Sequence, residues 1–403
     1  MNILVVNCGS SSVKYQLIEI ETRQARAKGI VDRIGMSGAV LTNLRSDGDE
    51  IKITGEILDH TTAIEYILAV LLSKNHGVLT DKGQIDAVGH RVVHGGEAFS
   101  ASVLIDDDVI KRIRDNVDIA PLHNPHNLRG ISACHVHLPN VPQVAVFDTA
   151  FHQKMPPHAY LYGIPYSLYS EHKIRRYGFH GTSHKFVAQR TAELMRREYA
   201  DLKLVTCHLG NGCSMAAVDR GTSVDTSMGL TPLEGLLMGT RSGDIDPYII
   251  LHIMSKEGLN YSEANTLLNK HSGLMGISGV SSDMREIISE MKQGNKRAQY
   301  AFDVFNYRIK KYIGAYMAAM GGADAIVFTG GIGENSPDVR KMCCQNLGFL
   351  GIELDESKNS SSEKEKAIQT SDSRVKVFVV PTNEELMIAL DTATICGFTK
   401  QSG

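Results

Sequence analysis

The sequence lacks several features that mark whole classes of protein. It contains no Trp, and none of its seven cysteines falls in a Cys-x-x-Cys pair. Unpaired thiols without that spacing argue against a disulfide or zinc scaffold and predict a reduced, cytoplasmic protein. No stretch approaches the roughly 18 uninterrupted apolar residues of a membrane span. The first residues, MNILVVNCGSSS, have no basic flank and too short an apolar run for a signal peptide.

Positive charge is not in excess either. The 42 Lys and Arg residues face 45 Asp and Glu residues, which leaves a formal net charge of −3. Surfaces that bind nucleic acid usually carry a basic excess, so no nucleic-acid partner is expected. What the sequence has in quantity is glycine, with 37 residues against 11 prolines. Glycine at this level, outside low-complexity sequence, predicts many tight turns of the kind that phosphate-binding proteins need.

The length and composition are those of a two-domain globular protein. One hydrophobic core rarely serves a chain of 403 residues, so two domains of about 200 residues each are expected. The chain is 42% hydrophobic and 22% charged, and these ordinary values exclude a disordered or fibrous protein.

One local pattern, a strand followed by a glycine-rich turn and a second strand, occurs twice. The first copy covers residues 3–20 around the turn 7–12, and the second covers 202–218 around the turn 208–212. About half of the chain separates the two turns. This spacing predicts duplicated domains with a cleft between them, and a coincidence between two unrelated hairpins is the alternative.

Hydrophobic periodicity predicts three clear helices. A capping box of Thr62 and Glu65 precedes an amphipathic stripe over residues 64–72. A longer stripe covers 298–320 and ends at two glycines, which predicts a helix with a glycine stop. A third helix is expected from Thr382 onward, again behind a capping box.

Apolar runs predict strands between these helices. They cover residues 144–147, 325–328 and 375–380. Strands that alternate with helices indicate an α/β fold with mostly parallel central strands. The polar stretch 359–373 is expected to be an exposed loop away from the chemistry.

Two glycine-rich turns are candidates for phosphate or nucleotide contact. The turn 7–12 offers backbone N–H groups and three hydroxyls, and Lys14 lies two residues beyond it. It is not a Walker A motif, because no Gly-Lys-Ser/Thr follows, and a plain hairpin is the alternative. The turn around Gly331 and Gly333 resembles a dinucleotide fingerprint only superficially, since Ser336 stands at its third position. It still offers backbone that can pack closely against a nucleotide.

Four charged residues stand where a charge needs a partner. Arg91 lies within an apolar stretch, and Arg241 is flanked by small and glycine residues. A buried guanidinium requires an anion, which is either a substrate or an internal carboxylate. Asp148 follows a strand, and Glu384 is expected near a helix start, where N–H groups would keep it ionised. Open α/β sheets bind ligands beyond the carboxyl ends of strands, although either acid could have a purely structural role.

The 16 histidines include several close pairs, but none completes an HExxH or Cys/His metal set. His180 and His208 differ from the others because their glycine neighbours are expected to expose them. They are therefore candidates for polar contacts in a site rather than for core packing.

Nine motifs, in order along the chain, resemble those of the acetate kinase family, within the superfamily of sugar kinases, Hsp70 and actin. They are VVNCGSSSVK at 5–14, GHRVVHGGE at 89–97, PLHNP at 121–125, FDTAFH at 147–152, YGFHGTSH at 177–184, HLGNG at 208–212, MGTRSGDIDP at 238–247, TGGIGEN at 329–335 and PTNEE at 381–385. The resemblance implies an α/β fold of duplicated RNase H-like (actin-like ATPase) domains with a nucleotide cleft between them. The domains would be 1–150 and 151–384, with a C-terminal helix, 385–403, packing back on the first.

The resemblance also implies a reaction, the ATP-dependent and reversible phosphorylation of acetate to acetyl phosphate by direct in-line transfer. The metal would be Mg²⁺, with Mn²⁺ as a substitute, and Asn7 and Glu384 would hold it. Arg241 and His180 would stabilise the transition state, and Asp148 is the family's proton donor or acceptor. A homodimer and closure of the two domains over the nucleotide are implied as well.

Substrate-binding positions are carried over from the same motifs. Arg91 would bind the carboxylate of acetate. Four apolar residues would line the pocket of its methyl group: Val93, Leu122, Phe179 and Pro232. Residues from four segments would surround ATP: Lys14, His208, Leu209, Gly210, Asn211, Gly212, Asp283, Met284, Arg285, Gly331, Ile332, Gly333, Glu334 and Asn335.

Physical chemistry modifies one of these roles and sharpens another. Acetate is already ionised near pH 7, so its phosphorylation needs no general base. We therefore expect Asp148 to orient an arginine or a metal-bound water. Val93 lies two residues from Arg91, so on a strand both side chains would share one face. A stiff β-branched residue there predicts a preference for acetate over propionate.

Several alternatives stay open at this point. Propionate kinase shares nearly all of the motifs, whereas butyrate kinase is usually a shorter chain. A sugar kinase would need a general base for a hydroxyl acceptor and has less use for paired arginines. The more remote alternative is an Hsp70-like or actin-like ATPase that acts by binding, and an actin-like protein would form filaments with ATP.

Overall fold

The computed structural model describes residues 1–398, which fall into two units. The first unit comprises Met1–Gln153 and the chain from Asn383 onward, and the second is Lys154–Thr382. The domain division expected from the sequence differs from this one in a respect that concerns the chemistry. It assigned Glu384 to the second domain, whereas the structure assigns it to the first unit. The last part of the expected C-terminal helix, residues 399–403, lies outside the described residues.

An eight-stranded sheet forms the first unit, in the order β5-β4-β3-β2-β1-β6-β8-β7. Its strands are β1 (Asn2–Cys8), β2 (Ser12–Glu19), β3 (Gln24–Asp32), β4 (Ala39–Arg45), β5 (Glu50–Gly55), β6 (Ala87–Val92), β7 (Val103–Leu104) and β8 (Gln143–Phe147). The α-helices before residue 153 are α1 (His60–Leu71), α2 (Asp107–Asp115) and α3 (Asn124–His137).

Parallel pairing in this sheet is confined to its centre. Strand β1 pairs in parallel with β6, and β6 pairs in parallel with β8, while the other neighbours are antiparallel. The short connections from β1 to β5 allow only hairpins, which explains the antiparallel half. The carboxyl ends of β1, β6 and β8 consequently meet at one edge of the sheet. Asn7 and Arg91 lie near the ends of β1 and β6, and Asp148 directly follows β8.

Helix α1 begins differently from the prediction. Its N-cap is Asp59, whose carboxylate accepts a hydrogen bond from the backbone N–H of Thr62 at 2.8 Å. The predicted capping box with Thr62 as the N-cap is therefore wrong, because the helix already begins at His60 and Asp59 caps it. Helix α1 packs against α3, and its apolar stripe is buried in a core with β1, β2 and β4.

A six-stranded sheet forms the second unit, in the order β11-β10-β9-β12-β14-β13. Its strands are β9 (Lys203–Leu209), β10 (Cys213–Asp219), β11 (Thr222–Thr226), β12 (Ala325–Thr329), β13 (Lys366–Ala367) and β14 (Lys376–Val379). Its α-helices are α4 (Pro157–Tyr160), α5 (Tyr166–His172), α6 (Gly181–Met195), α7 (Pro247–Glu257), α8 (Tyr261–Lys270), α9 (Gly273–Ser278), α10 (Met284–Lys292), α11 (Lys296–Met320), α12 (Gly330–Asn335), α13 (Pro337–Cys344) and α14 (Glu356–Ser360). Among residues 1–398, no helix has both the length and the apolar character needed to cross a membrane.

The second sheet repeats the central arrangement of the first. Strands β9 and β10 form an antiparallel hairpin around the turn 210–212, as β1 and β2 do around 9–11. Strand β12 pairs in parallel with both β9 and β14. The long helix α11 ends at Gly321, which adopts a left-handed φ of 69°, so the predicted glycine stop is confirmed.

Two predictions for the second unit are wrong in detail. The segment after β12 is the short helix α12 rather than an open turn. The stretch 359–373 is not a simple exposed loop, because it includes the end of α14 and the whole of β13. Asn359 and Lys366 within it are buried. The polar composition predicted exposure wrongly at these two positions, because their side chains form hydrogen bonds inside the protein.

The last helix, α15 (Glu384–Ile395), belongs to the first unit. Its N-cap is Asn383, whose side chain accepts from the N–H of Leu386 at 3.0 Å, so the expected box of Thr382 and Glu385 is also wrong. The helix packs on β1, β6 and β8. A Cβ on Gly89 of β6 would lie 2.7 Å from Cγ2 of Ile388. The glycine therefore permits the close approach of helix and sheet.

Candidate active site

The first unit contains a polar cavity at the edge where β1 and β6 end. Its volume is about 180 Å³. The lining residues come from β1, β2, β6 and the start of α15: Val5, Asn7, Lys14, Arg91, Glu384, Glu385 and Ile388. The β1–β2 register places Asn7 directly opposite Lys14. Four residues that the sequence assigned to three different roles are thereby brought into one cavity.

Arg91 is paired with Asp148 in a two-bond arrangement. Its Nε donates to Oδ1 at 3.0 Å, and its Nη2 donates to Oδ2 at 2.6 Å. Asp148 is only 1% exposed, and its negative charge is the main reason that the pKa of Arg91 is raised. The internal salt bridge considered for Arg91 therefore exists. Because Arg91 also lines the cavity, the aspartate holds its guanidinium in a defined orientation there.

Glu384 has a raised pKa. Burial raises its pKa to about 7, and the charges of Asp148 and Glu385 add to the effect, while Arg91 and Lys14 oppose it. Burial therefore opposes the ionised form that the helix N-terminus was expected to favour. A further positive charge beside Glu384 would stabilise the carboxylate.

The donor set of this cavity fits Mg²⁺ better than a transition metal. Asn7 and Glu384 supply amide and carboxylate oxygens, and Mg²⁺ is bound through one or two carboxylates together with phosphate oxygens and waters. Among residues 1–398, no cluster of three or more His, Cys, Asp or Glu side chains could hold a metal. The raised pKa of Glu384 agrees with this assignment, because a divalent cation beside the carboxyl would stabilise its ionised form.

In the second unit, the side chains of Arg241 and His180 lie near the glycine turn that joins β9 to β10. A Cβ built on Gly212 would lie 3.6 Å from Nη1 of Arg241 and 3.6 Å from Cε1 of His180. The N–H of Gly239 also donates to the carbonyl of Asn211 at 3.0 Å. The MGTRSG segment is thus fixed to the HLGNG turn, and the two predicted transition-state residues both approach the same glycine.

Arg241 has no carboxylate partner within residues 1–398. Its Nη1 donates to the carbonyl of Pro232 at 3.0 Å and approaches the sulfur of Met238 at 3.6 Å. Burial lowers the pKa of Arg241. Of the two explanations for this arginine, the internal salt bridge is excluded for the described residues.

His180 and His208 have different surroundings. His180 is partly exposed and has a left-handed φ of 56° just before α6. His208 is buried, so its expected exposure is wrong. The ring of His208 stacks on that of His180 with centroids 4.3 Å apart. Its Nδ1 is 2.8 Å from the hydroxyl of Ser183, which is also 2.8 Å from that of Thr382.

The residues predicted to surround ATP lie on several elements of the second unit, except for Lys14, which belongs to the first. Asp283 is the N-cap of α10 and pairs with the exposed Arg285 at 2.6 Å. On α12, the carboxylate of Glu334 turns inward and accepts from the N–H of Gly330 at 2.9 Å and of Thr382 at 3.2 Å. Backbone in this region is tightly packed, because a Cβ on Gly330 would lie 2.8 Å from the carbonyl oxygen of Leu209.

The sequence missed a buried arginine that supports α12. Arg340 is 1% exposed, and its Nη1 donates to the carbonyls of Gly333 and Glu334 at 2.8 and 2.9 Å. Its other N–H groups donate to Asn359 at 2.7 Å. Burial lowers the pKa of Arg340 to about 10. The polar stretch expected to lie away from the chemistry therefore connects, through Asn359, to the predicted nucleotide segment.

The four predicted methyl-pocket residues are distributed over both units. Val93 is buried, but it follows the end of β6, and its N–H donates to Oδ1 of Asn127 at 3.1 Å. Strand alternation therefore does not place it on the face of Arg91. Leu122 is 75% exposed in the first unit. Phe179 is buried and Pro232 is partly exposed in the second unit.

Comparison with known proteins identifies the family. The model of the Acetokinase family matches residues 2–390. A protein of Halothermothrix orenii named acetate kinase is 57% identical over 98% of this chain and 99% of its own length. One of Caldanaerobacter subterraneus subsp. tengcongensis with the same name is 58% identical over 97% of this chain and 98% of its own length.

Solved structures give the same result for the fold. The crystal structure of Porphyromonas gingivalis acetate kinase matches with a TM-score of 0.96 and 48% identity, covering 98% of this chain and 99% of that one. The crystal structure of a propionate kinase from Francisella tularensis matches with a TM-score of 0.90 and 44% identity over the same shares. The two mixed sheets with their helices are the duplicated actin-like ATPase fold of these enzymes. The chain belongs to the acetokinase family.

Proposed function

We infer that the protein transfers a phosphoryl group from ATP to acetate, forming acetyl phosphate and ADP, and catalyses the reverse reaction. The observation that carries this inference is identity of 54–58% over nearly the whole chain with proteins named acetate kinase. Propionate is the second candidate acceptor, since a propionate kinase is 44% identical. The higher identities favour acetate.

The first unit would bind the acceptor and the metal. Arg91, oriented by Asp148, presents N–H groups suited to a carboxylate. Asn7 and Glu384 would hold Mg²⁺, which when bound neutralises negative charge on the phosphate oxygens of ATP. Lys14 adds a further positive charge at the same cavity. Asp148 orients Arg91. Because acetate is already ionised at pH 7, Asp148 has no proton to accept from it.

The second unit would bind ATP and the phosphoryl group in transit. Phosphoryl transfer asks a protein for positioning and charge neutralisation. The guanidinium of Arg241, which lacks a carboxylate partner within residues 1–398, can stabilise the negative charge on the phosphoryl oxygens. His180 can donate a hydrogen bond to the same group. We assign ATP contacts to the segments at 208–212, 283–285 and 331–335.

We also propose that the protein works as a homodimer. Two helices of the second unit carry large apolar side chains that are exposed: Tyr248 and Leu251 on α7, and Tyr300 and Tyr307 on α11. A second copy of the chain would cover these side chains. Size-exclusion chromatography with light scattering should give twice the chain mass for the wild type and the monomer mass for Leu251→Glu.

A cytoplasmic location fits the state of the thiols. All seven cysteines are free in the structure, and six are buried. Burial raises the pKa of the Cys8 and Cys213 thiols to about 12, so these groups are kept unreactive. We propose that the protein functions in a reducing compartment, where such thiols persist.

Hydroxylamine trapping tests the proposed reaction directly. Incubation with ATP, Mg²⁺ and acetate should yield acetyl hydroxamate, and Arg241→Ala should yield at least 100-fold less at the same protein concentration. Propionate and butyrate serve as parallel acceptors. Product with propionate alone would move the assignment to propionate kinase. Absence of hydroxamate with all three acids would refute a carboxylate kinase.

A further inference from the structure

We propose that Ser214 and His184 are positioning residues that hold the ring of His180 and keep a proton on its Nε2. The inference rests on the proposed function, in which His180 donates to the phosphoryl group. Neither residue has a role in the site described above. Both are completely buried.

A chain of hydrogen bonds links these residues beneath the glycine turn. Nδ1 of His180 is 2.9 Å from the hydroxyl of Ser214. The same hydroxyl is 2.7 Å from Nε2 of His184, one turn further along α6. Nδ1 of His184 is in turn 2.7 Å from the hydroxyl of Thr206. We call these four residues the histidine relay.

The fold brings the relay together from three elements. In the register of β9 and β10, Ser214 lies opposite His208, and Ala216 lies opposite Thr206. Positions two apart on a strand share a face, so these polar side chains form a row on the side that α6 covers. Helix α6 contacts both β9 and β10. A polar row in this interior is tolerated because its members bond to one another.

Counting protons in the relay links the tautomers of its two histidines. The hydroxyl of Ser214 has one hydrogen and lies between two ring nitrogens, so it donates to one and accepts from the other. If it donates to Nδ1 of His180, the proton of that ring is on Nε2. His184 then donates from its Nε2 to Ser214, and its Nδ1 accepts from the hydroxyl of Thr206.

The opposite direction is less favourable. It would place the proton of His180 on Nδ1 and oblige the hydroxyl of Thr206 to find another acceptor. The acceptor that the structure places there is the carbonyl of Ala216, at 3.5 Å, which is the limit of a hydrogen bond. Both directions use the three contacts of 2.7–2.9 Å, but only the first also gives the hydroxyl hydrogen of Thr206 a short acceptor, Nδ1 of His184. The first direction leaves Nε2–H of neutral His180 as a donor.

Other groups also lie near the ring of His180. His208 on β9 stacks on it, His184 is joined to it through Ser214, and the guanidinium of Arg241 lies near it at Gly212. A relay that supplies a neutral Nε2–H makes a charged imidazolium unnecessary for hydrogen bonding to phosphoryl oxygen.

Nuclear magnetic resonance can read the tautomer without any turnover. In protein labelled with ¹⁵N-histidine, the resonances of His180 are assigned by their loss in His180→Gln. At pH 7.5 we expect a neutral ring protonated on Nε2, and the Nδ1–H tautomer or an imidazolium would overturn the proposal. A wild type with the expected tautomer and no hydroxamate product would refute the proposed function and leave the relay intact.

Kinetics of matched variants test the effect on catalysis. Ser214→Ala should lower kcat about 10- to 100-fold, because a misplaced group near the reacting atoms costs that much, while the KM values for ATP and acetate stay within about 2-fold. His184→Gln places an amide near the position of Nε2 and should retain more kcat than His184→Asn. Thr191→Val removes a buried hydroxyl that donates to the carbonyl of Val187 within α6 and should keep normal kcat.

Thermal unfolding separates this role from a purely structural one. The relay predicts that kcat follows the hydrogen bond to Ser214, whatever the melting temperature of each variant. Equal kcat for His184→Gln and His184→Asn would contradict it, as would an unchanged kcat in folded Ser214→Ala.

Discussion

Replacing Asp148 by Asn tests how the first unit prepares Arg91 for acetate. The wild-type pair has two charge-assisted bonds, of 3.0 and 2.6 Å. Asparagine keeps one acceptor oxygen and turns an NH₂ group toward the guanidinium, so one bond is lost and the other becomes weaker. A hydrogen bond to a charged group contributes about 1.5–3 kcal/mol. Arg91 must then be ordered when acetate binds, at a cost of about 2–3 kcal/mol, or roughly 30- to 150-fold.

We therefore expect kcat/KM for acetate to fall by roughly that factor, mainly through a higher KM. The KM for ATP should change little, because the aspartate contacts the acceptor-binding arginine. The measurement is initial-rate kinetics from pH 6 to 9 with ADP formation coupled to NADH oxidation. Asp108→Asn is the matched control, since Asp108 pairs with Arg112 at 2.6 Å on an exposed helix of the same unit.

A double-mutant cycle decides whether the effect acts through the arginine. Arg91→Lys removes the second donor, so the loss in the double variant should be smaller than the product of the two single losses. If Asp148 instead moved a proton in the reaction, Asp148→Asn would abolish one limb of the pH profile and leave the KM for acetate unchanged. That result would refute the orienting role.

Four further outcomes are expected. Glu384→Ala should lose most activity and regain part of it at high Mg²⁺, whereas a metal-independent loss with a lower melting temperature would indicate only a helix-start role. The family resemblance, rather than strand alternation, assigns Val93 to the methyl pocket, and on that assignment Val93→Ala should raise the propionate-to-acetate ratio of kcat/KM by up to about 10–200-fold. An unchanged ratio in a folded variant would make Val93 ordinary core. Gly89→Ala should destabilise the first unit by about 1–3 kcal/mol in urea unfolding, because its Cβ would lie 2.5 Å from Oγ1 of Thr392. Burial lowers the pKa of His90 to about 4, so this ring is protonated near pH 6.5 in the unfolded chain but only near pH 4 in the folded chain. About 2 kcal/mol of the free energy of unfolding should therefore be lost between pH 8 and pH 5. The loss for His90→Gln over the same pH range should be smaller by about that amount.

The sequence predicts the parts of this protein that depend on local order. Glycine turns between apolar strands identify both central hairpins, and the stripe ending at Gly321 identifies α11. The helix starts are less reliable, since Asp59 and Asn383 compete with nearby threonines for the same kind of N–H group. Several candidate caps within four residues differ by only a few tenths of a kcal/mol, so their order is set by tertiary structure.

Contacts between distant segments are the part that local patterns do not contain. Asn359 meets Arg340 through the path of α13 and α14, and Ser214 meets His184 only because α6 lies over the β9–β10 hairpin. Nothing in the spacing of these residues indicates the pairing. The pKa of Glu384 is a similar case, because it depends on Arg91 and Lys14 on two strands, on Asp148 after a third strand, and on Glu385 of its own helix.

The return of α15 to the first unit has a consequence for synthesis on the ribosome. One face of the first sheet is covered by Ile388, Ala389 and Ala393, which are made after the whole of the second unit. At about 5–20 residues per second, translation of residues 154–382 takes roughly 10–45 s. The second unit, which is continuous in sequence, can fold during that time, whereas the first must wait with apolar surface uncovered. The nascent chain is therefore exposed to aggregation at its N-terminal half, and chaperones that bind apolar segments should be needed there first.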